Sequence, residues 1–375
     1  MVNEKDKLTY DDLVEEHQIN SYKHLLDIIY VNNGEDIREN FIFRGIKKSS
    51  YKLLPSSLRL DKKTSDLEIN KFIVHSDFVL NIGKRHEIKS NGKPVVGHAY
   101  YNIDKSNNRV SNKPRDFVSS DGEVQFKREV DVLLKFLDYA DKIGLNIPTS
   151  TYVRRRMHNH ISYSPKEEYK WPEPDFYEII SLAQHFGLPT RALDWTYDYK
   201  IGLFFAVEGI LDNNKEDCIL WAFNYKLFED NYNPHTDINP TYEPDELTIY
   251  RPEYSVNSNL RSQKGLFTFL PTNIDEADMN IPFDKAVTDL LISRRQPFEY
   301  NENIIQYHIG GYNKFQINNE KIFHKFVISG DLKAKILKDL YKEGYAHENI
   351  YPNYKGVVDS IEKRVKLDNI INKGA

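Results

Sequence analysis

Cysteine is nearly absent from the sequence, since Cys218 is the only one in 375 residues. A single cysteine cannot form an internal disulfide, which is typical of a protein kept in a reducing compartment. The sequence also lacks any run of the roughly 18 apolar residues that a membrane span requires. It begins with the charged segment MVNEKDKLTYDD rather than an apolar leader. We therefore expect a cytoplasmic protein that does not associate with membranes.

The common cofactor and catalytic signatures are absent as well. The sequence contains no GxGxxG after a predicted strand, no GxxxxGK[ST], no HExxH, no CxxC and no GxSxG. His158 and His160 are two residues apart, so they would point in different directions from a helix. We therefore predict no metal site and no cofactor domain with a known signature.

A strong charge of one sign is also lacking. The formal net charge is -5 and the isoelectric point is near 6.2, so the whole molecule does not attract phosphate backbones. Nucleic-acid binding would need a local basic surface. The candidates for such a surface are residues 84–115, within a basic insertion, and the run Arg154-Arg155-Arg156.

The hydrophobic pattern predicts a mixture of helices and strands without a regular βαβ period, which favours an α+β fold. Helices are predicted at about 11–30, 123–143 and 175–186, and after a cap at Thr196 or Asp198. Strands are predicted in FIFRG, TRALDW, CILWAF, GLFTFL and KFVISG, the last leading into a helix and then the turn-rich IYPNYKG. We predict an N-terminal helical segment at 1–40, a core domain at 41–290 with a hairpin-like insertion at 81–120, and a C-terminal α/β extension at 291–375.

The segment 182–199, LAQHFGLPTRALDWTYDY, concentrates polar side chains in one short corner. Arg191 and Asp194 are three apart in a predicted strand, so they lie on opposite faces and each needs another partner. Arg44, at the end of another apolar strand, is a candidate partner for Asp194. Two interpretations remain open: a structural joint with an Arg44–Asp194 ion pair and a buried Trp195, or polar groups that line a pocket.

Several motifs together resemble the FRG-domain family. The resemblance begins with Phe43-Arg44-Gly45 and YKLLPSSLR and continues through AQHFGLPTRALDWT, GLFFA and RSQKGLF to KFVISGDLKAKILKDL and IYPNYKG. It covers the chain from about residue 20 to 365. Family members generally have Leu where this sequence has Ala192, a change that affects local packing.

A more remote similarity links the chain to arginine-type mono-ADP-ribosyltransferases. In that family an aromatic-Arg-Gly strand end contacts NAD, and Phe43-Arg44-Gly45 is similar to that strand end. A second strand carries Ser or Thr before a helix, and LDWTYDYKIGLFFAV is similar to it, with Thr196 at the hydroxyl position. The third strand would end in a catalytic Glu, but here the equivalent position is Gln263, and Glu253 is a weaker substitute. The resemblance implies an ADP-ribosyltransferase-like split β-sheet surrounded by helices, with a C-terminal strand-helix extension.

The resemblance also implies roles for individual residues. Arg44 would contact phosphate, Thr196 would position the nicotinamide ribose, and His185 would serve as acid or base. The predicted catalytic residues are Arg44, His185, Asp194, Thr196 and Gln263, and the predicted substrate-binding residues are Gly45, Gln184, Arg191 and Arg261.

The function implied is an ADP-ribosyltransferase or NAD glycohydrolase that uses NAD as substrate. It would act as a bacterial toxin or anti-phage defence effector, with a protein or nucleic-acid acceptor and an antitoxin or other regulatory partner. Two alternatives stay open. One is a non-catalytic module that binds a nucleotide or a protein, and the other is a nucleic-acid-binding protein or nuclease that uses the basic insertion.

Overall fold

A computed structural model describes most of the chain, in two compact units. The described residues are 9–30, 36–60, 67–73, 86–90, 93–97, 103–104, 109–110, 121–158, 170–229, 247–256, 258–273, 281–293, 305–309, 313–317 and 321–374. Unit 1 comprises Met1–Leu54, Ala192–Leu270 and Ile281–Ala375, and unit 2 comprises Pro55–Arg191 and Pro271–Asn280. We describe each unit separately.

The strands are short and spread over the whole chain. They are β1 (Val14–Ile19), β2 (Phe41–Ile46), β3 (His86–Ser90), β4 (Lys93–Gly97), β5 (Ile103–Asp104), β6 (Arg109–Val110), β7 (Lys170–Trp171), β8 (Leu193–Thr196), β9 (Cys218–Asn224), β10 (Thr248–Tyr250), β11 (Gly265–Phe269), β12 (Thr272–Asn273), β13 (Ile305–Ile309), β14 (Asn313–Ile317) and β15 (Phe323–Ile328).

The helices alternate irregularly with these strands. They are α1 (Tyr10–Leu13), α2 (Tyr22–Tyr30), α3 (Ile37–Asn40), α4 (Asp121–Lys142), α5 (Thr151–His158), α6 (Tyr177–His185), α7 (Tyr199–Val207), α8 (Lys226–Glu229), α9 (Ser258–Ser262), α10 (Phe283–Ser293), α11 (Lys333–Lys342), α12 (His347–Ile350) and α13 (Tyr354–Gly374). None of the described helices combines the length and the apolar character that crossing a bilayer would take.

A seven-stranded mixed sheet forms the centre of unit 1, in the order β1-β15-β9-β2-β8-β11-β10. The β1–β15 pair is parallel and the other pairs are antiparallel. Every residue of β9 is buried, as expected of a strand that is covered on both faces. The predicted α+β class is therefore confirmed.

Hydrophobic cores cover both faces of this sheet. One core packs α7 and α11 against residues such as Phe43, Leu220 and Phe326. The other packs α10 against Trp195, Phe223 and neighbouring side chains. Asp198 caps α7, because its carboxylate accepts a hydrogen bond from the Lys200 N–H at 3.0 Å. The predicted cap at this helix is thus confirmed as Asp198.

Helix α7 approaches β2 so closely that a side chain at Gly45 has no room. A Cβ at Gly45 would lie 2.1 Å from the Gly202 carbonyl oxygen and 2.4 Å from the Ala206 nitrogen. Gly202 faces the same contact from the helix side, since its Cβ would lie 3.0 Å from Phe43. Gly45 therefore allows the helix backbone to rest directly on the strand.

The predicted N-terminal helix at about 11–30 is wrong over its first half. Residues Val14–Ile19 form β1, and the described helices there are the single turn α1 and the later α2. Strand β1 pairs in parallel with β15 along its whole length, from Val14 opposite Phe323 to Ile19 opposite Ile328. The partner strand is more than 300 residues away, so local periodicity could not reveal it.

Unit 2 contains α4, α5 and α6 with a separate apolar core. Its buried side chains include Phe126, Leu133, Leu137, Trp171, Phe176, Ile179 and Ile180. The predicted helices at 123–143 and from about 175 are confirmed as α4 and α6. Within the predicted insertion, β3 and β4 form an antiparallel pair, as do β5 and β6. All other residues of the 81–120 segment lie outside the described residues.

Candidate functional site

The sheet of unit 1 is nearly interrupted between β2 and β8. These strands share a single residue pair, Phe43 with Thr196, whereas β2 pairs with β9 along all of Phe41–Ile46. In an antiparallel pair the neighbours of Phe43 and Thr196 would continue the ladder on both sides. Here the strands separate beyond that pair, and the side chain of Arg44 lies at the point of separation.

Arg44 links the two strands through its side chain. Its Nη1 donates to the backbone oxygen of Asp194 at 2.5 Å and lies 2.7 Å from the Asp194 carboxylate oxygen Oδ1. The Arg44 side chain is 10% exposed, whereas that of Asp194 is 56% exposed. The ion pair expected as one interpretation of this corner is therefore present, with one partner buried and the other open to solvent.

The Arg44 guanidinium is not fully satisfied by this pair. Its Nε is buried and has no hydrogen-bond acceptor among the residues that the structure describes. Buried N–H groups almost always have partners, and losing one costs about 1–3 kcal/mol. The Nε–H is therefore a donor that an anionic ligand could use.

Thr196, predicted to position a ribose, is buried at the end of β8. It is 4% exposed, and its hydroxyl donates to the Gln263 carbonyl oxygen at 2.7 Å and accepts from the Asp198 N–H at 3.0 Å. These bonds tie β8 to the turn before β11. The Thr196 hydroxyl is thus engaged in two internal bonds, and its role in positioning a ribose stays a prediction.

The turn that carries Gln263 is held by residues to which the sequence analysis gave no role in the site. Lys264 has φ of +46°, a left-handed conformation, and its Nζ lies 2.8 Å from the Asp198 carboxylate. The Tyr345 hydroxyl donates to the same carboxylate at 3.0 Å. Asp198 therefore joins α7, the Gln263 turn and the C-terminal part of unit 1. Only its position as a helix cap was visible in the sequence.

The C-terminal segment IYPNYKG contacts this region through α9. The Ser262 hydroxyl donates to the Ile350 carbonyl oxygen at 2.9 Å, and the neighbouring Arg261, a predicted binding residue, is exposed at the end of α9. Tyr351 directly follows Ile350 in the chain. Burial raises the pKa of Tyr351, and the negative charges of Glu208 and Asp194 raise it further. Tyr351 therefore lies within electrostatic reach of Asp194 and was missed by the sequence analysis.

Three of the predicted site residues, Gln184, His185 and Arg191, belong to unit 2. The Gln184 side-chain oxygen accepts from the Ser56 hydroxyl at 2.9 Å and from the Thr190 hydroxyl at 2.8 Å. His185 ends α6 with its ring edge-on to Phe186. Burial lowers the pKa of His185, which keeps the imidazole neutral at pH 7. Gln184 thus joins two segments of unit 2, while a proton-transfer role for His185 stays a prediction.

Arg191 forms a buried ion pair in unit 2 with a partner other than Asp194, as predicted. The predicted strand position of Arg191 is wrong, because β8 begins only at Leu193. The Arg191 Nε lies 2.9 Å from both carboxylate oxygens of Glu129, and the two side chains are 6% and 4% exposed. Glu129 also accepts from Trp171 at 2.7 Å and from Gln125 at 2.8 Å. These bonds tie Arg191 into the interior of unit 2, and its predicted role in substrate binding stays a prediction.

Comparison with known proteins supports one part of the resemblance. Residues 135–215 match the family model of the FRG domain. The matched region includes Gln184, His185, Arg191, Asp194 and Thr196. No curated protein and no solved structure matches the chain.

Proposed function

We propose that this chain is an ADP-ribosyltransferase-like enzyme that binds NAD where β2 and β8 separate. The premise is that residues 135–215 match the FRG domain. The observation that carries the proposal is the buried Nε–H of Arg44, which has no acceptor among the described residues. A pyrophosphate is a strong acceptor for such a donor. The separated strands next to it fit the split sheet expected of this class of enzyme.

The Arg44–Asp194 pair supports a specific exchange of partners. Arg44 is anchored independently of the carboxylate, because its Nη1 also donates to the Asp194 backbone oxygen. A pyrophosphate that binds Arg44 competes with the Asp194 carboxylate for those guanidinium N–H groups that do not bond the Asp194 backbone oxygen. The carboxylate, which is already half exposed, is then released toward the bound dinucleotide.

Asp194 supplies the negative charge that Gln263 lacks. In the proposed reaction the bond between the ribose C1′ and the nicotinamide nitrogen breaks, and the electron pair leaves on nicotinamide. The nucleophile, which is the oxygen of water or an oxygen or nitrogen of an acceptor, bonds to C1′. The proton that the nucleophile loses passes to the Asp194 carboxylate. That carboxylate also stabilises the positive charge that develops on the ribosyl ring, while Gln263 orients the nucleophile.

The test is nicotinamide release from NAD by the purified full chain, with and without bacterial lysate as a source of acceptors. We expect release by the wild-type chain and a loss of about 10²-fold in Asp194→Asn, because one charge that faces the transition state is removed. Arg44→Ala should weaken NAD binding. Arg38→Ala is the matched control, since Arg38 pairs with Asp36 elsewhere in unit 1.

The outcomes separate the proposal from its alternatives. Release that is equal in wild type and Asp194→Asn would place the chemistry elsewhere. Stabilisation of the wild-type chain by NAD without any release would mean a non-catalytic nucleotide-binding module. If neither nicotinamide release nor stabilisation by NAD is observed, the Arg44–Asp194 pair is a structural link between two strands.

A further inference from the structure

Two histidines and one glutamate meet at the edge of the unit 1 sheet. Glu15 and His17 are two residues apart on β1, so their side chains point to the same face. The parallel register places Glu15 directly opposite His324 on β15. Residues that are more than 300 positions apart in the chain are thus brought together by strand pairing alone.

The potential ligand atoms of these residues lie at the spacing of a metal coordination sphere. The distance between His17 Nε2 and His324 Nδ1 is 3.1 Å, and the Glu15 carboxylate oxygen Oε2 lies 3.4 Å from His324 Nδ1 and 3.8 Å from His17 Nε2. Zinc bonds of about 2.0–2.2 Å in tetrahedral geometry give ligand atoms about 3.3 Å apart. The three atoms therefore approximate three corners of one tetrahedron.

Aromatic packing fixes both imidazole rings. The His17 ring stacks on Phe326 with centroids 4.9 Å apart, and the His324 ring lies 5.1 Å from that of Phe41. His324 is 1% exposed, and its Nε2 has no hydrogen-bond partner within the described part of the chain. The polar contacts of this ring are therefore confined to its Nδ1 side, where His17 and Glu15 lie.

The three side chains of the cluster differ in exposure. The Glu15 side chain is 34% exposed, whereas those of His17 and His324 are 11% and 1% exposed. The carboxylate therefore lies on the solvent side of the cluster, which gives an ion a route to the two imidazoles.

We propose that Glu15, His17 and His324 bind one Zn²⁺ ion at the β1–β15 edge, with water or a further ligand in the fourth position. The donor set of two histidines and one carboxylate is one that proteins use for zinc. This site is independent of the proposed NAD site, because none of its residues takes part in the Arg44–Asp194 region. By joining β1 to β15, the ion stabilises the attachment of the N-terminal strand.

The test measures zinc binding by the full chain after chelator treatment and dialysis. We expect one Zn²⁺ per wild-type chain by titration calorimetry and mass spectrometry, with a rise in melting temperature on addition of Zn²⁺. Glu15→Gln and His17→Phe should each weaken binding at least tenfold. The phenylalanine keeps the ring that stacks on Phe326, so the second variant removes the ligand atom while preserving the packing.

Glu16→Gln is the matched control. Glu16 is next to Glu15 on β1 but points to the other face, where it pairs with Lys325 at 2.8 Å. The Glu16→Gln variant should bind zinc with the same affinity as the wild type. Less than one zinc per wild-type chain at saturating Zn²⁺ would overturn the proposal. Equal zinc affinity in Glu15→Gln, His17→Phe and Glu16→Gln would overturn it as well, because binding would then occur elsewhere.

Discussion

At the scale of single residues, the buried charges of this protein differ in how completely they are satisfied. Arg191 pairs with the Glu129 carboxylate, which accepts two further hydrogen bonds from its own unit, from Gln125 and Trp171. Arg44 keeps one buried N–H without an acceptor among the described residues. An unsatisfied buried donor is costly, and a ligand that completes its bonding is one explanation for keeping it. This contrast supports the proposal that Arg44 binds an anionic ligand, whereas Arg191 is paired within unit 2.

Glu208 allows a prediction about pH at this scale. It bonds His347 at 2.9 Å and Lys363 at 2.9 Å, and Lys47 lies 3.3 Å away. Burial alone would raise the pKa of Glu208, but the His347 hydrogen bond and the two ammonium groups lower it to about 2. A folded-state pKa below the unfolded value means that the ionised carboxylate stabilises the fold above pH 4.5, and that this contribution is lost as the pH falls toward 2.

We therefore expect Glu208→Gln to lower the free energy of unfolding by about 3 kcal/mol at pH 7, from the size of that pKa difference. The difference between variant and wild type should shrink as the pH is lowered from 5 to 3, because the Glu208 carboxyl becomes protonated in the unfolded chain while it stays ionised in the folded one. Urea unfolding of both proteins across this pH range measures the difference in their free energies of unfolding. Glu362→Gln, at an exposed pair with Lys366, is the control and should unfold like the wild type. A difference that does not depend on pH would contradict the assignment.

At the scale of elements, the sequence predicted those structures that depend on local pattern. The strands β2, β9, β11 and β15 and the helices α4, α6, α7 and α11 were all visible as apolar runs or helical periods with caps and stops. Strand β1 was not, because VEEHQI carries only two apolar residues, at its ends, and owes its conformation to β15. The zinc cluster was hidden for the same reason, since it exists only once that pairing is known.

The contact between β2 and α7 gives a prediction for an element. Gly45→Ala places a Cβ 2.1 Å from the Gly202 carbonyl oxygen, so the helix must move off the strand. We expect a loss of at least about 3 kcal/mol in the free energy of unfolding, as for severe overpacking. Denaturant unfolding of the purified variant measures this loss.

Gly344→Ala serves as the control for Gly45→Ala. Gly344 has φ of +89° with open space around its Cβ position, so only backbone strain of about 1 kcal/mol is expected. Equal destabilisation by the two substitutions would show that close packing is not the reason for glycine in the FRG motif.

At the scale of the whole molecule, the chain forms two units with separate cores, and the FRG match runs from unit 2 into unit 1. Sequence reasoning correctly required separate partners for Arg191 and Asp194, although its reason was wrong, because β8 begins at Leu193 and Arg191 lies before the strand. It proposed Arg44 for Asp194, which the structure bears out. It could not identify Glu129 for Arg191, since that partner depends on how α4 packs within unit 2. The burial of Thr196 likewise depended on a turn whose conformation no local pattern specifies.

The central claim is that the guanidinium of Arg44 binds the pyrophosphate of NAD, and a crystal structure of the full chain with a non-hydrolysable NAD analogue tests it most directly. We predict a pyrophosphate oxygen about 3 Å from Arg44 Nε. Arg44 Nη1 should remain on the Asp194 backbone oxygen, with the Asp194 carboxylate turned toward the ribose that carries nicotinamide. A dinucleotide bound away from Arg44, or an unchanged Arg44–Asp194 pair at saturating analogue, would contradict the account.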